Sequence, residues 1–148
     1  MDAPSTLRSR SWPVAQLPGL PAAQVAAMAA MGIHTTADLL AQGRTPAQQG
    51  AMAPRLHLAV AELRKWLAMA DLARVPTVGC TYCGLLLHGG IASVVQLSQT
   101  PAPRLHSQLL RLHVATMQRR DLCPTLTMVR QWITEAQVLL RRSLQAQD

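Results

Sequence analysis

Apolar residues recur along most of this chain at the three- and four-residue spacing of one helix face, not in the alternation of a half-buried strand. Leu56, Val60, Leu63, Leu67 and Ala70 form one such series. Pro54 stands where a first helical turn tolerates proline, which predicts a helix over 54–72 with His57 and Arg64 on its wet side. Behind Pro124, the series Leu126, Val129, Ile133, Ala136, Leu140 and Leu144 repeats the pattern. Thr127, Arg130, Thr134, Gln137 and Arg141 take the opposite face, so a second long helix is predicted there. Residues 1–11, with Pro4, Ser5, Ser9 and Ser11, lack apolar periodicity and are expected to form a mobile basic tail.

The two long helices carry Trp66 and Trp132 in matching contexts, Arg64-Lys65-Trp66-Leu67 and Arg130-Gln131-Trp132-Ile133. Sliding the sequence on itself by 58 residues aligns Leu17, Pro18 and Leu20 with Val75, Pro76 and Val78. The same shift aligns Gly32, Ile33, Thr36 and Leu39 with Gly90, Ile91, Val94 and Leu97. The identities Pro18/Pro76, Gly32/Gly90 and Ile33/Ile91 fall at turn positions, where backbone geometry demands particular residues, and a duplication explains them. The expected organisation is all-α: a first unit over 12–72 and a second over 73–146, packed into one helical domain.

Each unit reads as apolar-Pro-x-apolar, a helix, Gly-Ile, then a short capped helix ending in Leu. This pattern resembles the helix-hairpin-helix superfamily, in which two short helices flank a glycine-bearing hairpin. Residues 12–146 are also similar to an uncharacterised cyanobacterial family, a domain of unknown function built from such units. The run from Ala70 through Val75-Pro76-Thr77-Val78-Gly79, followed by Leu85-Leu86 and Gly90-Ile91, carries most of that likeness. The resemblance implies phosphate binding through hairpin amides, because glycine lets the backbone approach an anion at a helix start. Both hairpins depart from that pattern. The first has Gly19 but Pro21 where the second glycine would stand, and the second has Thr77 in place of the first glycine and keeps Gly79.

Composition narrows the chemistry. Of 148 residues 49% are hydrophobic and 3% aromatic, with no Phe, so the core must be built from Leu, Ala, Val and Met, which favours helices. Charged residues make up 14%, yet 14 Lys and Arg face 7 Asp and Glu, a formal charge of +7 that suits a polyanion. The most basic stretch holds Arg104, His106, Arg111, His113, Arg119 and Arg120. On a helical wheel Arg104, Arg111 and Arg119 share a polar side with Gln108 and Gln118, while His106 and His113 fall between apolar sectors and read as half-buried packing groups. Four aromatics leave little material for base stacking, so contact with nucleic acid would be to the backbone.

Catalytic patterns are scarce. The acids Asp2, Asp38, Glu62, Asp71, Asp121, Glu135 and Asp148 form no close pair in sequence, and no nucleophile-elbow, metalloprotease or Walker-type stretch occurs. Cys80 and Cys83 have the spacing of a redox pair or half a zinc site, but only the distant Cys123 with His88 or His113 could complete four ligands. The 58-residue shift matches Cys80 and Cys83 to Ala22 and Val25, which assigns them to small apolar packing. No metal and no cofactor is expected. Three cysteines are too few for a disulfide scaffold, and neither an export signal nor a membrane span is read, so a reduced, cytoplasmic setting is expected. Non-catalytic, sequence-independent binding of DNA or RNA is expected, through Arg104, Arg111 and Arg119 with Gly79 admitting one phosphate. The alternative is a protein-interaction adaptor, for which an exposed apolar patch would speak.

Overall fold

The computed structural model describes residues 7–117 and 123–147 and is all-α. A short 3-10 turn at Val14–Gln16 leads into α1 (Ala22–Ala30), α2 (Thr36–Gln42), α3 (Pro46–Arg55) and α4 (Val60–Ala73). After a tight link come α5 (Gly79–His88), α6 (Val94–Gln99), α7 (Ala102–Met117) and α8 (Leu126–Gln147). Among the described residues strand pairing is limited to one isolated antiparallel bridge between Pro13 and Thr35.

Local chemistry places the helix starts. Thr35 Oγ1 accepts from the Asp38 amide at 3.1 Å while Asp38 Oδ2 accepts from the Thr35 and His34 amides, a reciprocal cap on α2. Thr45 and Gln48 cap α3 in the same way, with Pro46 in the first turn. Ser93 Oγ accepts from the Gln96 amide to start α6. The His34 and Thr35 amides hold the Asp38 carboxyl below its usual range, because they stabilise the charged form.

The bonding of the first half recurs 58 residues later. Ile33 N donates to Met28 O and Ile91 N to Leu86 O, both at 2.9 Å, across Gly32 at φ 78° and Gly90 at φ 92°. Leu20 N donates to Leu17 O and Val78 N to Val75 O. The Asp38 side chain on the His34 amide has its counterpart in the Gln96 side chain on the Ala92 amide. Leu17, Met28, Ile33, Thr36 and Leu39 are buried, as are Val75, Leu86, Ile91, Val94 and Leu97. In the long helices Leu63, Trp66, Leu67 and Ala70 are buried in α4, and Val129, Trp132, Ile133 and Ala136 in α8, here 66 residues apart. One apolar cluster runs through both halves from Val14 to Leu139.

Two expectations are corrected by the backbone. The helix anticipated over 54–72 is two helices: α3 ends at Arg55, Leu56 closes it, and His57 turns back at φ 58° before α4 starts at Val60. Leu58 N donates to Ala53 O at 3.0 Å, the bond that satisfies a helix-terminal carbonyl when the chain reverses. Pro54 lies in the last turn of α3, not the first turn of α4. The apolar series survived this break because Leu56 and Leu63 face the same core from both sides of the turn. The second correction concerns residues 7–11 of the anticipated tail, which are tied down. Arg10 N donates to Arg74 O at 2.8 Å, Ser11 Oγ accepts from the Ala37 amide, and Leu7 packs against the core. Residues 1–6 lie outside the described residues.

Trp132 is fully buried, donates its indole N–H to Thr77 O at 3.2 Å and packs against Tyr82 with ring centroids 5.0 Å apart. Replacing Trp132 with Ala is expected to cost about 3–5 kcal/mol, read as a lowered denaturation midpoint. Trp66→Ala should cost less, since its buried N–H has no acceptor to lose. Unchanged midpoints for both would remove the two indoles from the core.

Candidate nucleic-acid interface

Arg104 and Arg111 project from α7 and are exposed, while Leu105 and Leu109 on the opposite side are buried. Seven residues make nearly two turns, so the two arginines share one face about 10 Å apart along the axis. Neither guanidinium bonds to a described residue. Arg104 stands on the rim of a cavity of about 300 Å³ with Gly89, Gly90, Gln96, Thr100 and Gln108. Much of that polar lining is engaged internally: Gln96 Nε2 donates to Gly90 O at 2.7 Å, and Thr100 Oγ1 donates to Gln96 O at 2.7 Å. His106 is half-buried on the same helix. Arg119, Arg120 and the His113 side chain lie outside the described residues.

Gly79 is not beside these arginines. It begins α5, whereas Gly89 and Gly90, next to Arg104, follow the end of that helix about 15 Å away. It is buried at φ 53°, its amide donates to Val75 O at 3.0 Å, and a Cβ placed on it would meet Trp12 Cζ2 at 3.1 Å. The glycine serves a backbone conformation and an indole contact, so the phosphate approach expected at Gly79 has neither a free amide nor an open face.

The second hairpin is sealed from within. Glu135 reaches from α8, buried to 8% exposure, and its Oε1 accepts from Thr77 N at 3.1 Å and Thr77 Oγ1 at 2.8 Å. Gln131 Nε2 donates to the other carboxylate oxygen at 3.1 Å. A carboxylate of the chain itself thus occupies the hairpin amide that an external anion would use. Nothing in the residue spacing pointed to Glu135, which reads in sequence as a lone acid 58 residues from its partner. The first hairpin lacks such a plug: Gly19 is exposed at φ 82°, against the edge of the Trp66 ring, over which Lys65 Nζ sits at 4.7 Å from the centroid.

The other described acids are also committed, apart from exposed Glu62. Asp38 caps α2, and Asp71 pairs with Arg74 at 2.8 Å while accepting from the Val94 amide at 2.8 Å. A second cavity, of about 320 Å³, is lined by Arg8, Ser9, Arg74, Leu139, Arg142 and Ser143. These arginines come from three distant stretches, so no motif in the sequence could have joined them. Among the described residues no group of three or more His, Cys, Asp or Glu is placed to hold a metal ion. Burial raises the Cys80 thiol, and burial with the neighbouring Cys80 pushes Cys83 up to about 12. Neither is a ready thiolate at neutral pH.

Residues 18–139 match the model of a family described as a domain of unknown function, DUF4332. No curated protein and no solved structure matches the chain.

Two expectations check this geometry. Cys83 should resist a soluble thiol reagent at pH 8 in the folded protein and react at full stoichiometry in denaturant. Prompt native labelling, followed by mass spectrometry of the Cys80–Cys83 peptide, would contradict its burial. Glu135→Ala should cost about 1–3 kcal/mol by removing the charge-assisted bonds to Thr77, and Glu135→Gln less, because the amide oxygen still accepts. Equal melting temperatures for wild type and Glu135→Ala would show that the plug contributes nothing.

Proposed function

We propose that this chain, which belongs to the DUF4332 family, is a non-catalytic protein that binds the phosphate backbone of DNA or RNA without reading sequence. The observation that supports this most is how the acids are used. Asp38, Asp71 and Glu135 are spent on backbone amides, and Glu135 is buried as well. Between described residues the one ion pair is Arg74–Asp71. Arg8, Arg10, Arg44, Arg55, Arg64, Lys65, Arg104, Arg111, Arg130 and Arg141 are exposed, and among the described acids Glu62 is the exposed one. A surface of that kind attracts polyanions and releases their counterions on contact.

Recurrence of the same turn bonds after 58 residues supports a tandem pair of helix-hairpin-helix-like units as the scaffold. With the second hairpin sealed, the arginines Arg104, Arg111 and Arg119 take the leading role, and Gly19 marks the open hairpin. The adaptor reading draws less support. The large apolar side chains exposed among the described residues are Val95 at 50% and Leu144 at 64%, and scattered single residues of that kind are ordinary. Among the described residues no helix is long and apolar enough to cross a membrane.

A salt titration of duplex binding tests the reading. Three arginine–phosphate contacts should give a slope of log binding constant against log salt of about −2.7, with little dependence on sequence. Arg111→Gln should flatten that slope by about one unit. No affinity for duplex or single-stranded nucleic acid at micromolar protein and low salt would reject it, and the adaptor reading would take its place.

A further inference from the structure

The cavity of about 300 Å³ beside Arg104 opens between the end of α6, the first turns of α7 and the Gly89-Gly90 link that follows α5. Its walls are fixed by their own bonds. Gln96 Oε1 accepts from the Ala92 amide at 2.9 Å, its Nε2 donates to Gly90 O at 2.7 Å, and Thr100 Oγ1 donates to Gln96 O at 2.7 Å. Gly89 lets α7 close on the link, since a Cβ there would meet Leu109 Cδ2 at 2.8 Å. The polar side chains left over are those of Gln99, Arg104 and Gln108, which line the cavity and bond to no described residue. Arg104 and Gln108, four residues apart, share one face of α7.

We propose that this cavity receives one unpaired nucleotide of a single strand, with its phosphate on Arg104 and its base within reach of the Gln99 and Gln108 carboxamides. The inference rests on the nucleic-acid reading above and names the form of nucleic acid. One guanidinium, with no acid among the lining residues, suits the single charge of a phosphodiester. A carboxamide carries an acceptor and donors side by side, and so does the pairing edge of every base. Turning the carboxamide fits it to either order, so the contact selects no sequence. In a duplex the opposite strand occupies that edge, and only an unpaired base can present it. Ile91 and Pro101 supply apolar wall for the ring. Arg111, about 10 Å further along α7, is left for a neighbouring phosphate of the same strand.

A strand without bases isolates the inference. The full chain is titrated, at one salt concentration, with a short single strand, with its duplex, and with a strand of the same length built from abasic nucleotides, which keeps the phosphates. Charge alone favours the duplex, whose phosphates are about twice as dense along the axis. The cavity reverses that order: the intact single strand should bind about tenfold more tightly than the abasic strand, and more tightly than the duplex. Gln108→Met should weaken the intact strand about threefold to tenfold and leave the abasic strand unchanged, whereas Arg104→Gln should weaken both. Melting temperatures are recorded for each variant, and Gln99→Ala, altering an exposed residue at the end of α6, carries the comparison should Gln108→Met melt early. Equal affinity for intact and abasic strands overturns the inference and leaves the backbone reading in place, as does an undiminished preference for the intact strand in the folded glutamine variants. Absence of affinity for all three probes rejects the backbone reading and the inference together.

Discussion

The arrangement of the two halves depends on the indole of Trp12. Its backbone N–H donates to Thr36 Oγ1 at 3.0 Å and its carbonyl accepts from Thr36 N at 2.8 Å, which fastens the start of the chain to α2. Its ring N–H donates to Ala73 O at 2.7 Å, satisfying a carbonyl that the end of α4 leaves without a helical partner. The ring itself lies on Gly79, where the left-handed backbone and the missing Cβ make room for it. One side chain therefore joins the first capped helix, the junction and the start of the second half, while the Arg10 guanidinium sits 4.7 Å from its ring centroid. The corner so fixed is where Arg8 and Arg74 meet.

A chain with 7 acids and 14 basic residues has few ways to satisfy polar groups in its turns without neutralising its surface. This one spends its acids on backbone amides: Glu135 is buried, Asp71 half-buried, and Asp38 caps α2 at the surface. A carboxylate on a backbone amide contributes a charge-assisted hydrogen bond to a donor that the turn would otherwise leave to solvent. Capping by neutral Gln48 and Gln96 does the same work elsewhere without adding acid.

The helical class and the buried faces were legible because they depend on local periodicity: Leu63, Leu67 and Ala70, or Val129, Ile133 and Ala136, report their burial through spacing alone. Gly32-Ile33 and Gly90-Ile91 were legible for a different reason, since a positive φ before a buried residue restricts the choice of amino acid. His57 was missed because a left-handed turn at a non-glycine residue leaves little mark when the apolar series continues across it. Ser9, Arg10 and Ser11 looked like tail because their partners, Arg74 and Ala37, are remote in the chain. Gly79 drew attention as a glycine at a helix start, but spacing could not reveal that Trp12 covers it. Glu135 and the Arg8, Arg74 and Arg142 corner were hidden for the same reason, as each is assembled by tertiary contact and none by a motif.

The two hairpins share a frame and differ in what fills it. In the second, Trp132 donates to Thr77 O and Glu135 accepts from Thr77 N and Oγ1, so the turn is bonded to α8 on both its donor and acceptor sides. In the first, the corresponding position is Gly19, which offers no side chain to bond, and the Trp66 N–H stays buried without an acceptor. An unmet buried donor costs about 1–3 kcal/mol, so the first corner is the less stable of the two by its polar bonding. The sealed corner cannot exchange its internal carboxylate for an external phosphate without exposing Glu135 to that cost in turn. The amide of Thr77 is therefore held by the chain's own carboxylate, whereas the guanidinium groups of Arg104 and Arg111 on α7 bond to no described residue.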